Sequence, residues 1–175
     1  MSIGHMSIAQ AMLGEFDHEM ANTRKTLERI PVNKLEYKPD PKSMSLGQLA
    51  GHIVEMVGWG SMTLTTESLD MNPGEHKPFI PTSEHQLLSE FDKNLHTLRT
   101  TLAGMSDADM LKTWALRIGG NVLFSMPRVG VMRTMIMNHI IHHRAQLTVY
   151  YRLNGVPVPA LYGPSADETG MAASA

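Results

Sequence analysis

Two histidines four residues apart are the strongest chemical signal in the sequence. His139 and His143 lie in the segment 138–144, inside a run of apolar residues with helical spacing. Residues four apart on a helix lie on the same face, so both imidazoles can point at one spot. This His-x-x-x-His spacing allows a helix to bind zinc or a similar ion. Two surface histidines would also fit the pattern, but the neighbouring Ile140 and Leu147 favour a metal site because unpaired buried imidazoles cost desolvation energy.

A third ligand has to come from another helix, and His52 is the best candidate. It interrupts the apolar run 49–54. A lone histidine at such a place is more often a hydrogen-bonded core residue, but the His139/His143 pair in the same small protein favours a ligand. Three histidines with one water form a catalytic type of site, which keeps an open coordination position. Imidazoles suit zinc, nickel, copper and iron; we expect one divalent transition metal ion, and the residues do not choose among these metals.

Three further residues are candidates for a catalytic role. Glu55 follows His52 by about one helical turn and could orient a ligand or move a proton, or form an exposed salt bridge instead. Arg144 could clamp a carboxylate of the substrate or pair with an acidic residue on a neighbouring helix. Tyr150, with Gln146, continues the face of the histidine pair and could contact the substrate. The sequence assigns the catalytic role to none of them.

Other metal and enzyme motifs are missing from the sequence. Glu15-x-x-His18 is half of a di-iron carboxylate site, which needs that motif twice. His-Glu-x-x-His, Gly-x-Ser-x-Gly and a phosphate-binding loop are absent. The chain has no cysteine, so a disulfide framework, a thiolate zinc site and a cysteine nucleophile are excluded. Any thiol in the reaction must therefore arrive on a small molecule.

The composition favours one cytoplasmic domain spanning residues 1–175. The 42% of hydrophobic residues can fill a core, and 175 residues fit one domain. The sequence has 15 basic and 17 acidic residues and no basic stripe, which argues against nucleic acid and against a membrane surface as partners. No apolar run approaches the roughly 20 residues of a membrane span, and the first residues do not resemble a signal peptide.

Apolar periodicity predicts an all-α protein with four long helices. Ser45 and Gln48 form a capping-box pattern at the start of the second helix, and Pro31 ends the first. Gly119-Gly120, between β-favouring residues, is compatible with a short β-hairpin before the last helix. We expect a four-helix bundle with a long crossover connection. The predicted helices span about 7–30, 45–69, 82–103 and 129–154, followed by an extended tail over 155–175.

Three stretches of the chain also resemble one known family. They are MNHIIHHRAQLTVYYRLNGVPVPALYGPSADE (137–168), SLGQLAGHIVEMVGW (45–59), and EFDHEMANTRKTLERIP (15–31) with the following YKPDPKSMS. In their order and spacing they resemble the DinB-like (damage-inducible) superfamily. The resemblance implies a four-helix bundle with crossed connectivity, often in a homodimer, and a three-histidine metal site. Carried over by position, the ligands are His52, His139 and His143, the trio already reached from spacing.

The resemblance also narrows the expected activity. Related proteins include S-transferases and isomerases that use bacillithiol or mycothiol, and proteins described as metal-dependent hydrolases. We therefore expect a metal-dependent enzyme acting on a small molecule, with a low-molecular-weight-thiol S-transferase first and a hydrolase second. The ion would activate a bound thiol or water by lowering its pKa. A non-catalytic, stress-related protein that binds a metal or ligand is the alternative from another class.

Overall fold

The computed structural model describes residues 6–72, 74 and 76–169, and this part of the chain is mostly helical with one small sheet. A π-helical segment, Met132–Met137, joins α5 directly to α6, and a 3-10 turn covers Val32–Lys34. The helices are α1 Ile8–Leu27, α2 Leu46–Thr65, α3 Glu84–Ala103, α4 Asp107–Met110, α5 Arg128–Val131 and α6 Asn138–Leu153. The strands are β1 Ser68–Asp70, β2 Thr113–Ile118 and β3 Asn121–Pro127.

Serine caps fix the starts of the three long helices that precede the hairpin. The Ser45 hydroxyl accepts from the amide of Gln48 at 3.2 Å, and the Gln48 side chain accepts from the amide of Ser45 at 2.8 Å. This confirms the capping box predicted for α2. Ser7 and Gln10 form a second capping box at α1, and Ser83 caps α3. These bonds satisfy amides of the first turn that have no partner within the helix.

The four longest helices pack around a shared apolar core. Helix α1 packs against α3 and α6, and α2 packs against the same two helices. The first predicted helix (7–30) is shorter in the structure, because the chain leaves α-helical hydrogen bonding after Leu27 and turns ahead of Pro31. The largest apolar side chains of the core are Phe16, Met20, Leu27, Leu46, Leu49, Ile53, Met56, Leu87, Phe91, Leu98 and Tyr151, each at most 2% exposed.

The described chain is mostly helical, as predicted, but it is not all-α, because the structure adds a three-stranded sheet. The second predicted helix (45–69) ends at Thr65, and Ser68–Asp70 instead pairs in parallel with β2. The predicted β-hairpin is confirmed, since β2 and β3 pair antiparallel around Gly119 and Gly120. Their φ angles of 55° and 81° are those that a two-residue hairpin turn requires and that glycine adopts without strain.

The last predicted helix (129–154) is helical throughout but not uniformly α-helical. It runs from Arg128 to Leu153, with the π-helical segment in its first half. A π-turn places one extra residue in the helix and is frequent at functional sites. The apolar spacing of this stretch did not reveal it. Gly155 follows the end of the helix at a φ of 69°, the left-handed conformation typical of a glycine cap.

The tail beyond the last helix lies against α1 and α6. Its described part, residues 156–169, contains no helix or strand, in line with the predicted extended tail over 155–175; residues 170–175 lie outside the described residues. Asp167 pairs with Arg152, and Glu168 pairs with Lys25 and Arg29. These ion pairs hold the tail across one side of the helices.

No helix in the described part of the chain is both long enough and apolar enough to cross a bilayer.

Candidate metal centre

Three histidines from two helices converge on one point. Helix α2 supplies His52, and α6 supplies His139 and His143, so the structure brings together the trio that the sequence singled out. One ring nitrogen from each histidine lies within 4.8 Å of the other two. The closest pair is Nε2 of His139 and Nε2 of His143, which are 2.8 Å apart.

The donor set and its spacing fit a divalent transition metal. Nitrogens that share one tetrahedral zinc ion at about 2.0–2.1 Å lie about 3.3 Å from each other. Small side-chain rotations would convert the observed spacing into that one. Within the described part of the chain, the group that could hold an ion consists of these three imidazoles alone, with no carboxylate. Such a set suits zinc or nickel and leaves at least one coordination position for water or substrate.

Burial keeps the three imidazoles in their neutral, metal-binding form. Burial, together with the nearby His143 and His139, lowers the pKa of His52 to about 4. The pKa values of His139 and His143 also lie below the ordinary value, mainly because of burial. A neutral imidazole has a free lone pair for an ion, whereas a protonated one does not. The half-buried setting therefore favours the form that binds metal.

Hydrogen bonds on the ring edges that face away from the cluster orient two of the three histidines. Nδ1 of His143 lies 2.7 Å from Oε1 of Gln146, an acceptor, so Nδ1 carries the proton and Nε2 presents its lone pair to the cluster. The His139 ring is hydrogen-bonded to the backbone of Met135, within the π-helical segment. Gln146, expected from the sequence to contact substrate, thus contacts a ligand histidine instead.

Glu55 anchors a loop beside the cluster. Its Oε1 accepts from the backbone amide of Phe79 at 2.8 Å and lies 3.3 Å from Nε2 of His76. The same loop crosses α2 at Gly51, where a Cβ atom would lie only 1.8 Å from the carbonyl oxygen of Phe79. Glycine at this position therefore lets the loop lie directly on the helical turn that carries His52. The structure places Glu55 in the anchor of the loop that crosses α2.

Arg144 points away from α2 and pairs with an acidic residue of α1. Its guanidinium is 2.7 Å from the carboxylate of Glu19, and both side chains are buried. It also donates to the carbonyl of Glu19 at 2.9 Å and to the hydroxyl of Thr23 at 3.1 Å. Of the two roles considered for Arg144, the structure shows the pairing with a neighbouring helix. Glu19 itself was missed in the sequence, although its place on the apolar face of α1 could have indicated a buried partner.

Tyr150 takes part in packing at the other end of α6. Its ring meets that of Tyr37 edge to face, with centroids 6.1 Å apart. Its hydroxyl donates to the carbonyl of Met44 at 3.2 Å. These contacts tie α6 to the segment before α2.

An apolar cavity of about 50 Å³ adjoins the cluster at His139. It lies between α2, the sheet and the helical segment that leads into α6. Its lining was not predicted from the sequence, because the sheet residues reach it only through the pairing of β1, β2 and β3. It is lined by Met56, Trp59, Thr63, Leu69, Trp114, Leu116, Phe124, Val131, Met135, Ile136 and His139.

A second, more polar groove shares two of these residues. Trp59 and Leu69 separate the apolar cavity from a groove of about 230 Å³ that also contacts Asp70, Asn72 and His76. The Trp59 ring lies edge to face against His52 at 6.1 Å and against His76 at 5.9 Å. The histidine cluster is thus flanked by one apolar and one polar space.

Comparisons with known proteins point to a single family. The family model described as DinB family matches residues 6–171. The chain is 28% identical over 162 residues to the uncharacterized protein YrdA of Bacillus subtilis (strain 168), covering 89% of each chain. A crystal structure of a DinB-like protein from Bacillus cereus ATCC 10987 matches with a TM-score of 0.64 and 25% identity, over 86% of this chain and 95% of that one. A DinB-like protein from Bacillus subtilis (YjoA) matches in fold, with a TM-score of 0.65 and 18% identity over 85% and 96% of the two chains.

Proposed function

Since the chain belongs to the DinB family, we propose that it is a metal-dependent enzyme with one divalent ion, zinc or nickel, on His52, His139 and His143. The observation that carries the proposal is the convergence of three neutral imidazoles, without a carboxylate, beside an apolar cavity. A purely structural zinc site is normally closed by four protein ligands. Three ligands beside a cavity support a site at which a substrate reaches the ion.

The proposed reaction is the transfer of a low-molecular-weight thiol onto a small electrophile. A bound divalent ion would lower the pKa of the thiol, so that a thiolate is available near neutral pH. The sulfur forms a bond to carbon, the leaving group departs with its electron pair, and the thiol proton passes to solvent. The protein contributes the fixed ligand rings, the hydrogen bond from His143 to Gln146 and the two flanking spaces. The polar groove beside Trp59 is suited to the thiol cosubstrate.

A metal-dependent hydrolase is the second candidate, because three histidines and an open position would equally activate water. A non-catalytic, stress-related metal- or ligand-binding protein is the third. The cavity at His139 favours the two enzymes over it, since a metal that only stabilises the fold needs no adjoining space. A screen of small electrophiles with and without low-molecular-weight thiols, each with and without added metal, separates the three.

Metal analysis of protein purified without a histidine tag tests the centre itself. We expect about one zinc or nickel ion per chain in the wild type. His139→Ala should abolish binding, because two imidazoles on different helices chelate poorly. His142→Ala is the matched control, since His142 is an exposed neighbour on the same helix and should leave the metal content unchanged. No metal above background in the wild type, or equal metal content in both variants, would contradict the proposal.

The same proposal includes an assembly and a location. We propose one domain over 1–175 in which the four long helices form a four-helix bundle with a long crossover between α1 and α2. The packing of α3 and α6 against both of those helices supports this. We further propose a cytoplasmic homodimer whose partner is a small-molecule substrate, without nucleic acid or membrane. Light scattering on the purified chain tests the dimer, and a mass of about 19.4 kDa would contradict it.

A further inference from the structure

We infer that the cavity at His139 is a subsite for a short, uncharged carbon chain of the substrate. This rests on the proposed function, in which the ion on His139 lies at the reacting centre. The substrate class is then a small apolar electrophile, in contrast to a phosphorylated or carboxylated one. Neither the family match nor the related structures assign a ligand to this cavity.

The sheet forms one apolar wall of the cavity. Leu69, Leu116 and Phe124 are direct neighbours across β1, β2 and β3, so their side chains form one row on the same face. All three line the cavity. The sheet that interrupts the helical architecture therefore places a continuous apolar row opposite the metal-bearing helices.

Two polar groups of the lining are already hydrogen-bonded within the protein. The hydroxyl of Thr63 donates to the carbonyl of Trp59 at 3.0 Å. The indole N–H of Trp114 donates to the hydroxyl of Thr66 at 3.2 Å. Among the described residues, the lining includes no aspartate, glutamate, lysine or arginine. A charged group here would lose its hydration without gaining a partner, which is strongly unfavourable.

The size of the cavity limits the length of the chain. Apolar cavities of about 150 Å³ hold a benzene ring, which corresponds to about 25 Å³ per carbon. On that scale the 50 Å³ beside His139 hold about two carbons. A two-carbon alkyl group fits, and an aromatic ring requires the walls to move.

The chain provides its own reporter for this site. Its two tryptophans, Trp59 and Trp114, both line the cavity, so tryptophan fluorescence, excited selectively over tyrosine, comes entirely from cavity residues. Bromoethane is a suitable probe, because it has two carbons and its bromine quenches indole fluorescence on contact. Bromoacetate has the same length but a negative charge, and serves as the matched control ligand.

The experiment is a titration of metal-free protein with each probe, followed by fluorescence. We expect saturable quenching with bromoethane and linear, collisional quenching with bromoacetate. Leu116→Phe, which fills the cavity, should weaken bromoethane binding at least tenfold. Leu123→Phe, the same change at an exposed position of the hairpin, should have no effect. Val131→Leu fills the cavity from the helical wall and replaces Leu116→Phe if that variant does not fold.

Linear quenching by bromoethane in the wild type, or saturable binding of both probes alike, overturns the subsite. Unchanged bromoethane binding in a folded cavity-filling variant does the same. Because the titration needs no metal, its result is independent of the metal analysis. A wild type that binds metal but gives linear quenching loses only the subsite. A wild type without metal that gives saturable quenching loses the proposed function, and the cavity is then an apolar binding site of another kind.

Discussion

Two adjacent residues of α6, His143 and Arg144, lead to polar clusters of opposite character. Arg144 reaches α1, where the carboxylate of Glu19 balances its charge. Its guanidinium also donates hydrogen bonds to the hydroxyls of Thr23 and Tyr162. His143 faces α2, where its ring lies beside His52 of α2 and His139 of its own helix, and among the described residues no carboxylate joins this group. The Arg144–Glu19 pair is buried, whereas the three histidines are half-buried. The first cluster is complete in itself, and under the proposed function the second binds a cation.

This difference separates a stabilising role from a functional one. A buried charge that has its partner and its hydrogen bonds holds helices in register and leaves nothing to bind a ligand. A group of converging lone pairs is unfavourable by itself and becomes favourable when a metal ion binds to it. Substitutions on the two sides of α6 should therefore have distinct effects, and the following predictions test this separation.

The largest effect is expected from Arg144→Met. Removal of the guanidinium leaves the Glu19 carboxylate buried without a partner, which should lower the free energy of unfolding by about 3–5 kcal/mol. Urea denaturation measures this loss. Arg152→Met is the control, because Arg152 pairs with Asp167 at an exposed site, where solvent screens the pair, and its loss should leave the free energy of unfolding nearly unchanged. A folded Arg144→Met variant that has lost its metal would contradict the separation of the clusters.

Metal removal should have the next largest effect and should act only through the histidine cluster. An ion at a hundred- to a thousand-fold its dissociation constant stabilises the folded state by about 2.7–4.1 kcal/mol. Chelator treatment of the wild type should lower the free energy of unfolding by that amount. His139→Ala should respond to chelator by less than about 0.5 kcal/mol. An equal response of both proteins would place the stabilising ion elsewhere.

Gln146→Ala should weaken the centre without unfolding the protein. The amide holds the His143 ring in its metal-binding orientation, and loss of such a hydrogen bond typically costs about 10–100-fold in metal affinity. Competition with a chromophoric chelator measures the change. Asn138→Ala removes another exposed amide from the same helix and should leave the affinity within about twofold. An unchanged affinity in Gln146→Ala would mean that packing alone orients His143.

The smallest effect is expected from Tyr162→Phe, on the complete cluster. The Tyr162 hydroxyl donates to the Glu19 carboxylate at 2.6 Å and also contacts Arg144, but much of the residue is exposed. Its loss should cost about 1 kcal/mol in the free energy of unfolding, with no change in metal content. Tyr37→Phe is the control, since Tyr37 meets Tyr150 through its ring. A loss of bound metal in Tyr162→Phe would show that the two clusters are coupled.

Local patterns in the sequence predicted the features that depend on local contacts. The serine cap of α2, the glycine pair of the hairpin and the helical spacing of His139 and His143 each act within a few residues. His52 was more difficult, because its convergence with the pair depends on the packing of α2 against α6. Its choice relied on its place in an apolar run and on the family resemblance.

Features that depend on distant partners were missed. Leu69 is the last apolar residue of the second predicted helix (45–69), and Ser68–Asp70 becomes a strand only because β2 pairs with it. Glu19 gave no sign that Arg144, on another helix, would neutralise it. The row of cavity residues on the sheet was invisible for the same reason. Long-range pairing decided these positions, whereas propensity decided the caps and turns.

The extra residue in Met132–Met137 acts as a phase shift between the two halves of one helix. In the half before the extra residue, Val131 faces the cavity. In the half after it, His139 and His143 face α2. Each residue of an α-helix advances by about 100°, so deletion of one residue here would turn the downstream half by that angle relative to the upstream half. A relative that lacks this extra residue would keep the helix and both histidines, but the two histidines would no longer point at α2.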